Sequence, residues 1–220
     1  MPEYCETRLC VPGTFPAEPI NAATSFVPVV LGALALLFLS RRTDQGYVAY
    51  GLAVLLLLTG LGSIAWHSFR TDLALILDAL PGVLYAIVLV FFWFYYLGGR
   101  FFGAIPIGLV AAIIVVFGPE SPDEARIVVA GQVLTLAAGL LIATWLCKPK
   151  AFKLALATAV CALVAVTFRT LDLNVCEIIP FGTHFFWHIF LGIAGYTGVR
   201  MIMVLRKATP ETLQNARVSR

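Results

Sequence analysis

The chain has 220 residues, 60% of them hydrophobic and 12% charged, with a mean hydropathy of +0.94 and a formal net charge of +3. A soluble domain carries roughly 25% charged residues. The polar surface is therefore too small for a water-soluble globule, and a chain this apolar is not disordered. The charge is too small to point to nucleic acid, and the basic residues stand in short loops beside apolar runs, where they orient a membrane protein.

In chain order, Met1 to Ile20 holds Glu3, Glu6, Glu18 and Arg8 around no apolar centre. It lacks the basic start and greasy core of a signal peptide, so it is expected to stay attached. Apolar runs follow at Ile20 to Leu39, Tyr47 to Phe69, Leu73 to Leu97, Phe101 to Phe117, Ala125 to Leu146, Phe152 to Phe168 and Phe181 to Leu205. Each is near the length of about 20 residues that crosses a bilayer as a helix, and open sheet cannot satisfy its backbone in lipid. The expectation is one all-α integral membrane domain over 1–220 with seven transmembrane helices, an outward segment at 1–19 and a short cytoplasmic tail at 206–220. Arg41, Arg42, Arg100, Lys148, Lys150, Lys153, Arg206 and Lys207 fall on one side by alternation, and the acidic segments fall on the other. The positive-inside rule then puts the N-terminus outside and the C-terminus in the cytoplasm.

The three histidines, His67, His184 and His188, all fall near the outward ends of their spans. His184 and His188 are four apart, one turn on one helix face. A single membrane histidine is more often an interhelical hydrogen-bonder, but the remaining histidine reaches the same depth from more than a hundred residues away. Three imidazoles leave one tetrahedral position open, the arrangement of a catalytic zinc. Ser63 lies one turn before His67, and Asp78 lies about 8 Å into the third span at 1.5 Å per residue. An ionisable group at that depth faces a cavity or a partner, for which Arg70 or Arg169 is the alternative to a catalytic role. Ser63 alone also reads as a small packing residue. Arg169 and Asp172 read as an ion pair at a helix end.

These residues resemble those of a known family. Gly60-Leu61-Gly62-Ser63-Ile64-Ala65-Trp66-His67 resembles the GxGSxxFH motif of the alkaline ceramidases, with Trp66 in place of Phe. His184-Phe185-Phe186-Trp187-His188 resembles their HxxWH motif, Leu171-Asp172 with Cys176-Glu177 the segment before it, and Asp78 the aspartate of their third span. Tyr4-Cys5-Glu6 resembles the family's WCE, and Glu18 with Asn21 its later E and N. The family belongs to a superfamily of seven-span membrane hydrolases that also includes adiponectin-type receptors.

The resemblance implies hydrolysis of the N-acyl amide of ceramide to a sphingoid base and a fatty acid. His67, His184 and His188 would hold zinc, Asp78 would act as general acid and base, and Ser63 would stabilise the oxyanion. The alternatives are a related lipid amide or ester hydrolase, or a receptor-like protein with structural zinc, for which inward loops of a few residues and a short tail offer a cytoplasmic partner little to hold. Membrane lipid is the expected partner, and the setting is a bacterial inner membrane or the Golgi or endoplasmic reticulum. Cys5, Cys10 and Cys176 all fall on the oxidising side, and the resemblance selects Cys5 to Cys176 as the disulfide. Glu3, Glu6 and Glu18 place three hard oxygen donors on the short outward segment, with Tyr4 beside them. Calcium bound there would need backbone carbonyls, Asn21 or waters to complete a shell of six to eight oxygens. The alternative is a solvated acidic segment, and Glu3 stands where the family pattern has an Asp. Arg8 departs from that pattern, standing where an Asn ligand is expected, and its guanidinium would repel the ion or replace it by pairing with a glutamate.

Overall fold

A computed structural model describes residues 3–10, 13–42, 46–98 and 137–207. A single 3-10 turn, Glu6–Leu9, precedes α1 (Pro19–Thr24) and α2 (Phe26–Ser40). Then come α3 (Gly46–Phe69), α4 (Asp72–Gly98), α5 (Ala137–Cys147), α6 (Phe152–Leu171) and α7 (His184–Lys207). No strand occurs among the described residues. Among the described residues, five segments are long and apolar enough to cross a membrane: Pro19–Ser40, Gly46–Phe69, Asp72–Gly98, Pro149–Asn174 and His184–Lys207. The expected run Phe101 to Phe117 lies outside the described residues, and the run Ala125 to Leu146 is described only over α5.

The boundaries moved where polar chemistry intervened. The first apolar run divides at Ser25, because Pro28 offers no N–H to the carbonyl of Thr24 four residues earlier. The last run begins at His184 rather than Phe181, since Gly182 holds a φ of 71°. That left-handed conformation suits glycine, and a Cβ there would also run into the Asp172 carboxylate.

α3 and α7 form the centre, α3 against α2 and α4, and α7 against α6, α2 and α3. Leu39, Leu52, Val199, Met201, Ile202 and Leu205 make a buried core toward one end. α4 is peripheral and leaves Leu73, Ile76, Leu80, Val83 and Ile87 exposed, an apolar stripe suited to lipid. Small residues permit the close approaches, as expected where lipid is as apolar as leucine. Gly62 is the strictest case, because any side chain there would overlap the Leu77 carbonyl on α4. That contact brings the α4 backbone at Asp78 beside Ser63.

At the opposite end the buried residues turn polar. Glu6, Glu18, Asn21, Ser25, Ser63, His67, Asp172, His184 and His188 are all buried there. Arg70, in the turn between α3 and α4, is the non-glycine residue with positive φ among those described, at 52°. Such a conformation costs about 1–3 kcal/mol and persists only where its surroundings hold it.

Candidate metal centre

His67 comes from the last turn of α3, and His184 and His188 from the first two turns of α7. Their side chains are at most 3% exposed, and one ligand nitrogen from each lies within 4.8 Å of the others. This is the convergence expected from depth alone, now made by packing α3 against α7.

The outer nitrogens are held by neighbours. Nδ1 of His67 is hydrogen-bonded to Oε2 of Glu18. An ionised carboxylate can only accept, so Nδ1 carries the proton and the lone pair sits on Nε2, which is buried without a partner. Nδ1 of His188 lies 2.9 Å from Thr24 Oγ1, which itself lies 2.9 Å from the Ile20 carbonyl. The hydroxyl therefore donates to that carbonyl and accepts from His188, leaving the second lone pair on Nε2. Nδ1 of His184 is likewise buried and unpartnered. Buried orphan nitrogens are rare. Three imidazoles, two of them with carboxylate or hydroxyl support on their far sides, are the donor set zinc takes.

Ser63 and Asp78 complete the layer. Ser63 Oγ is 3.4 Å from His188 Nε2 and 3.0 Å from Ser25 Oγ, and Asp78 faces it from α4, where Gly62 lets the two helices meet. A cavity of about 320 Å³ lies about one helical turn deeper in the bundle. Thr59, one turn before Ser63, lines it with Gly82, Tyr85, Trp93, Trp187 and Leu191, and its surface is almost wholly apolar.

A family model described as Ceramidase matches residues 2–218. The chain belongs to the ceramidase family. No curated protein matches it. Membership makes this ceramidase a membrane-embedded hydrolase acting on an amide bond, and the metal-competent cluster lies inside the matched region.

The N-terminal segment of this ceramidase is built into the site. The disulfide joins Cys5 to Cys176 with Cα atoms 5.2 Å apart, and Cys10 remains a thiol. Tyr4, one residue earlier, stacks on the His184 ring at 4.0 Å. Residues 17 and 18 are tied to the end of α3, with Glu18 N donating to the His67 carbonyl at 2.8 Å.

Asp172 organises the opposite wall, a role the sequence pattern concealed. It does not form the expected pair with Arg169. Oδ1 accepts from the backbone N–H of Thr183 at 2.7 Å and of His184 at 2.8 Å, and Oδ2 from that of Cys5 at 3.0 Å. Arg169 instead lies 4.6 Å from the Tyr4 ring centroid. The start of α7, the disulfide and the N-terminal segment thus share one carboxylate, which satisfies donors that a helix start leaves open.

The four expected calcium residues are divided. Glu3 is exposed and Tyr4 faces His184. Glu6 accepts from the backbone N–H of Ile20 at 2.7 Å and of Asn21 at 2.9 Å, so it caps α1. Burial pushes the Glu6 carboxyl up, against those two hydrogen bonds. Glu18 binds His67 through one oxygen, while the other accepts from Thr7 Oγ1 at 2.5 Å and forms an ion pair with Arg70 at 3.1 Å. Burial would raise its carboxyl, but His67, Thr7 and Arg70 together hold it below the usual range. Arg8 is exposed, and the guanidinium that pairs with a glutamate comes from Arg70. With both carboxylates so occupied, this donor set does not fit a calcium ion. Glu18, Thr24 and Ser25 as supports of the histidines escaped the sequence reading; a carboxylate shortly before an Asn and two hydroxyl residues was the available signal.

Proposed function

We propose that this ceramidase is a zinc-dependent amidase that cleaves the N-acyl amide of ceramide within the membrane. The observation that carries the reading is the meeting of three buried imidazoles, one ligand nitrogen of each lying within 4.8 Å of the others. His67, His184 and His188 would hold the ion, which when bound lowers the pKa of a water to about 7 and polarises a carbonyl.

The chain's own residues supply the rest. Asp78 takes the proton of the attacking water as the oxygen bonds to the acyl carbon. As the C–N bond breaks, Asp78 returns a proton to the departing amine, so the products are a fatty acid and a sphingoid base. Ser63 Oγ, beside His188, donates to the oxygen that gains charge. Ser25 Oγ, 3.0 Å from Ser63 Oγ, positions that hydroxyl. The apolar cavity beyond Thr59 and Trp187 receives a hydrocarbon chain, as its lining demands. A disulfide at this end supports an outward N-terminus, because disulfides persist on the oxidising side.

The test is purification in detergent, analysis of bound metal, and assay of fatty-acid release from ceramides against matched ester lipids. About one zinc per chain with release from the amide is expected. Release from the ester alone would move the substrate class, and full zinc content in His184→Ala would remove that residue from the ligands.

A further inference from the structure

We propose that the Arg70 guanidinium is the resident cation of the N-terminal acidic cluster, so that this ceramidase holds its zinc layer together without calcium. The inference rests on the zinc-amidase reading only for what the site does.

The positive charge is already in place. Arg70 stands 3.1 Å from Oε1 of the wholly buried Glu18. Its guanidinium carbon lies 4.1 Å from the Trp66 ring centroid and 5.4 Å from that of Tyr4, so two aromatic faces flank it. The left-handed backbone at residue 70 turns the chain so that this side chain lies back over the end of α3. An arginine is charged at every accessible pH and presents its donors in a fixed fork, which suits it to a permanent buried pair.

The oxygens a divalent ion would need are occupied. Glu18 accepts from His67 and Thr7 and is ion-paired with Arg70, with Asn21 Nδ2 at 3.4 Å, and both oxygens of Glu6 accept from backbone N–H groups. Asn21 Oδ1 is the buried side-chain oxygen here without a partner. Calcium takes six to eight oxygens, and one remaining acceptor beside a guanidinium does not make such a shell. Arg70 also joins the cation to the metal layer, since the carboxylate it holds is the one that orients His67.

The experiment is thermal unfolding of the full-length protein in detergent, in buffer depleted of calcium over a chelating resin and then titrated to millimolar calcium. The wild-type midpoint should not move. Arg70→Asn tolerates the left-handed backbone and removes the charge, and should gain a saturable rise of roughly 5–10 °C at calcium a hundredfold above its dissociation constant. Arg70→Lys keeps the charge and should stay indifferent. A saturable rise in the wild type overturns the proposal, as does a folded Arg70→Asn protein blind to calcium. Should Arg70→Asn fail to fold, the wild-type and Arg70→Lys titrations decide, and a rise in either overturns it. Zinc content measured on the same samples separates this inference from the reading beneath it. A wild type indifferent to calcium but devoid of zinc would sink the amidase mechanism and leave the Arg70 assignment standing.

Discussion

His67 and Glu18 form a hydrogen-bonded pair in which both side chains are wholly buried and the carboxylate oxygen faces Nδ1, not Nε2, which is buried without a partner. The carboxylate therefore fixes the tautomer and raises the basicity of the ring nitrogen proposed to hold the metal. Such outer partners are worth about 10–100-fold in metal affinity. Glu18→Gln should lower zinc affinity by that factor, measured by competition with a chelator of known strength. An unchanged affinity would show that packing alone orients His67.

Asp78→Asn should keep zinc and lose about 10²–10⁴-fold in turnover, because the proton acceptor goes while the shape stays. Ser63→Ala should lose less, since Asp78 and the histidines remain. Turnover and metal content are read on the same preparation. Near-normal activity in Asp78→Asn would remove that residue from the proton path.

Cys5→Ser breaks a cross-link between residues 171 apart in sequence. Loss of such a link costs about 2–5 kcal/mol, seen as a lower unfolding midpoint, and a reducing agent should have the same effect on the wild type and none on the variant. Equal midpoints for the oxidised wild type and Cys5→Ser would mean that Asp172 and Glu6 anchor the segment without help.

Asp172→Ala leaves three buried backbone N–H groups without their acceptor. At 1–3 kcal/mol for each orphaned group, a total cost of about 3 kcal/mol or more follows. Unfolding should show it, and Tyr4 should become accessible to chemical modification as the N-terminal segment loosens. Asp172→Asn keeps an acceptor and should cost less. If Asp172→Ala unfolds at the wild-type midpoint, the carboxylate is not the hinge of this wall.

Membrane embedding and the depth of the three histidines were legible from the sequence, because both depend on properties that add along a helix. Apolar length sets a span, and 1.5 Å per residue sets depth. His67, His184 and His188 could be matched in that way although they lie far apart. The resemblance carried the pairing of Cys5 with Cys176, which depth alone left open to Cys10.

The tertiary structure decided what each remaining polar side chain touches. Glu18 looked like one oxygen donor among several in an acidic segment, yet folding turns it onto His67. Asp172 stands three residues from Arg169, a spacing that suggests a pair, but the start of α7 and Cys5 offer it three backbone donors at once. Arg8 and Arg70 are equally charged in the sequence. Only the turn after α3 brings one of them to a buried carboxylate and leaves the other exposed. Hydropathy and period describe one helix at a time, whereas a hydrogen bond selects its partner from every group that packing brings within about 3 Å, and that set exists only once the helices have met.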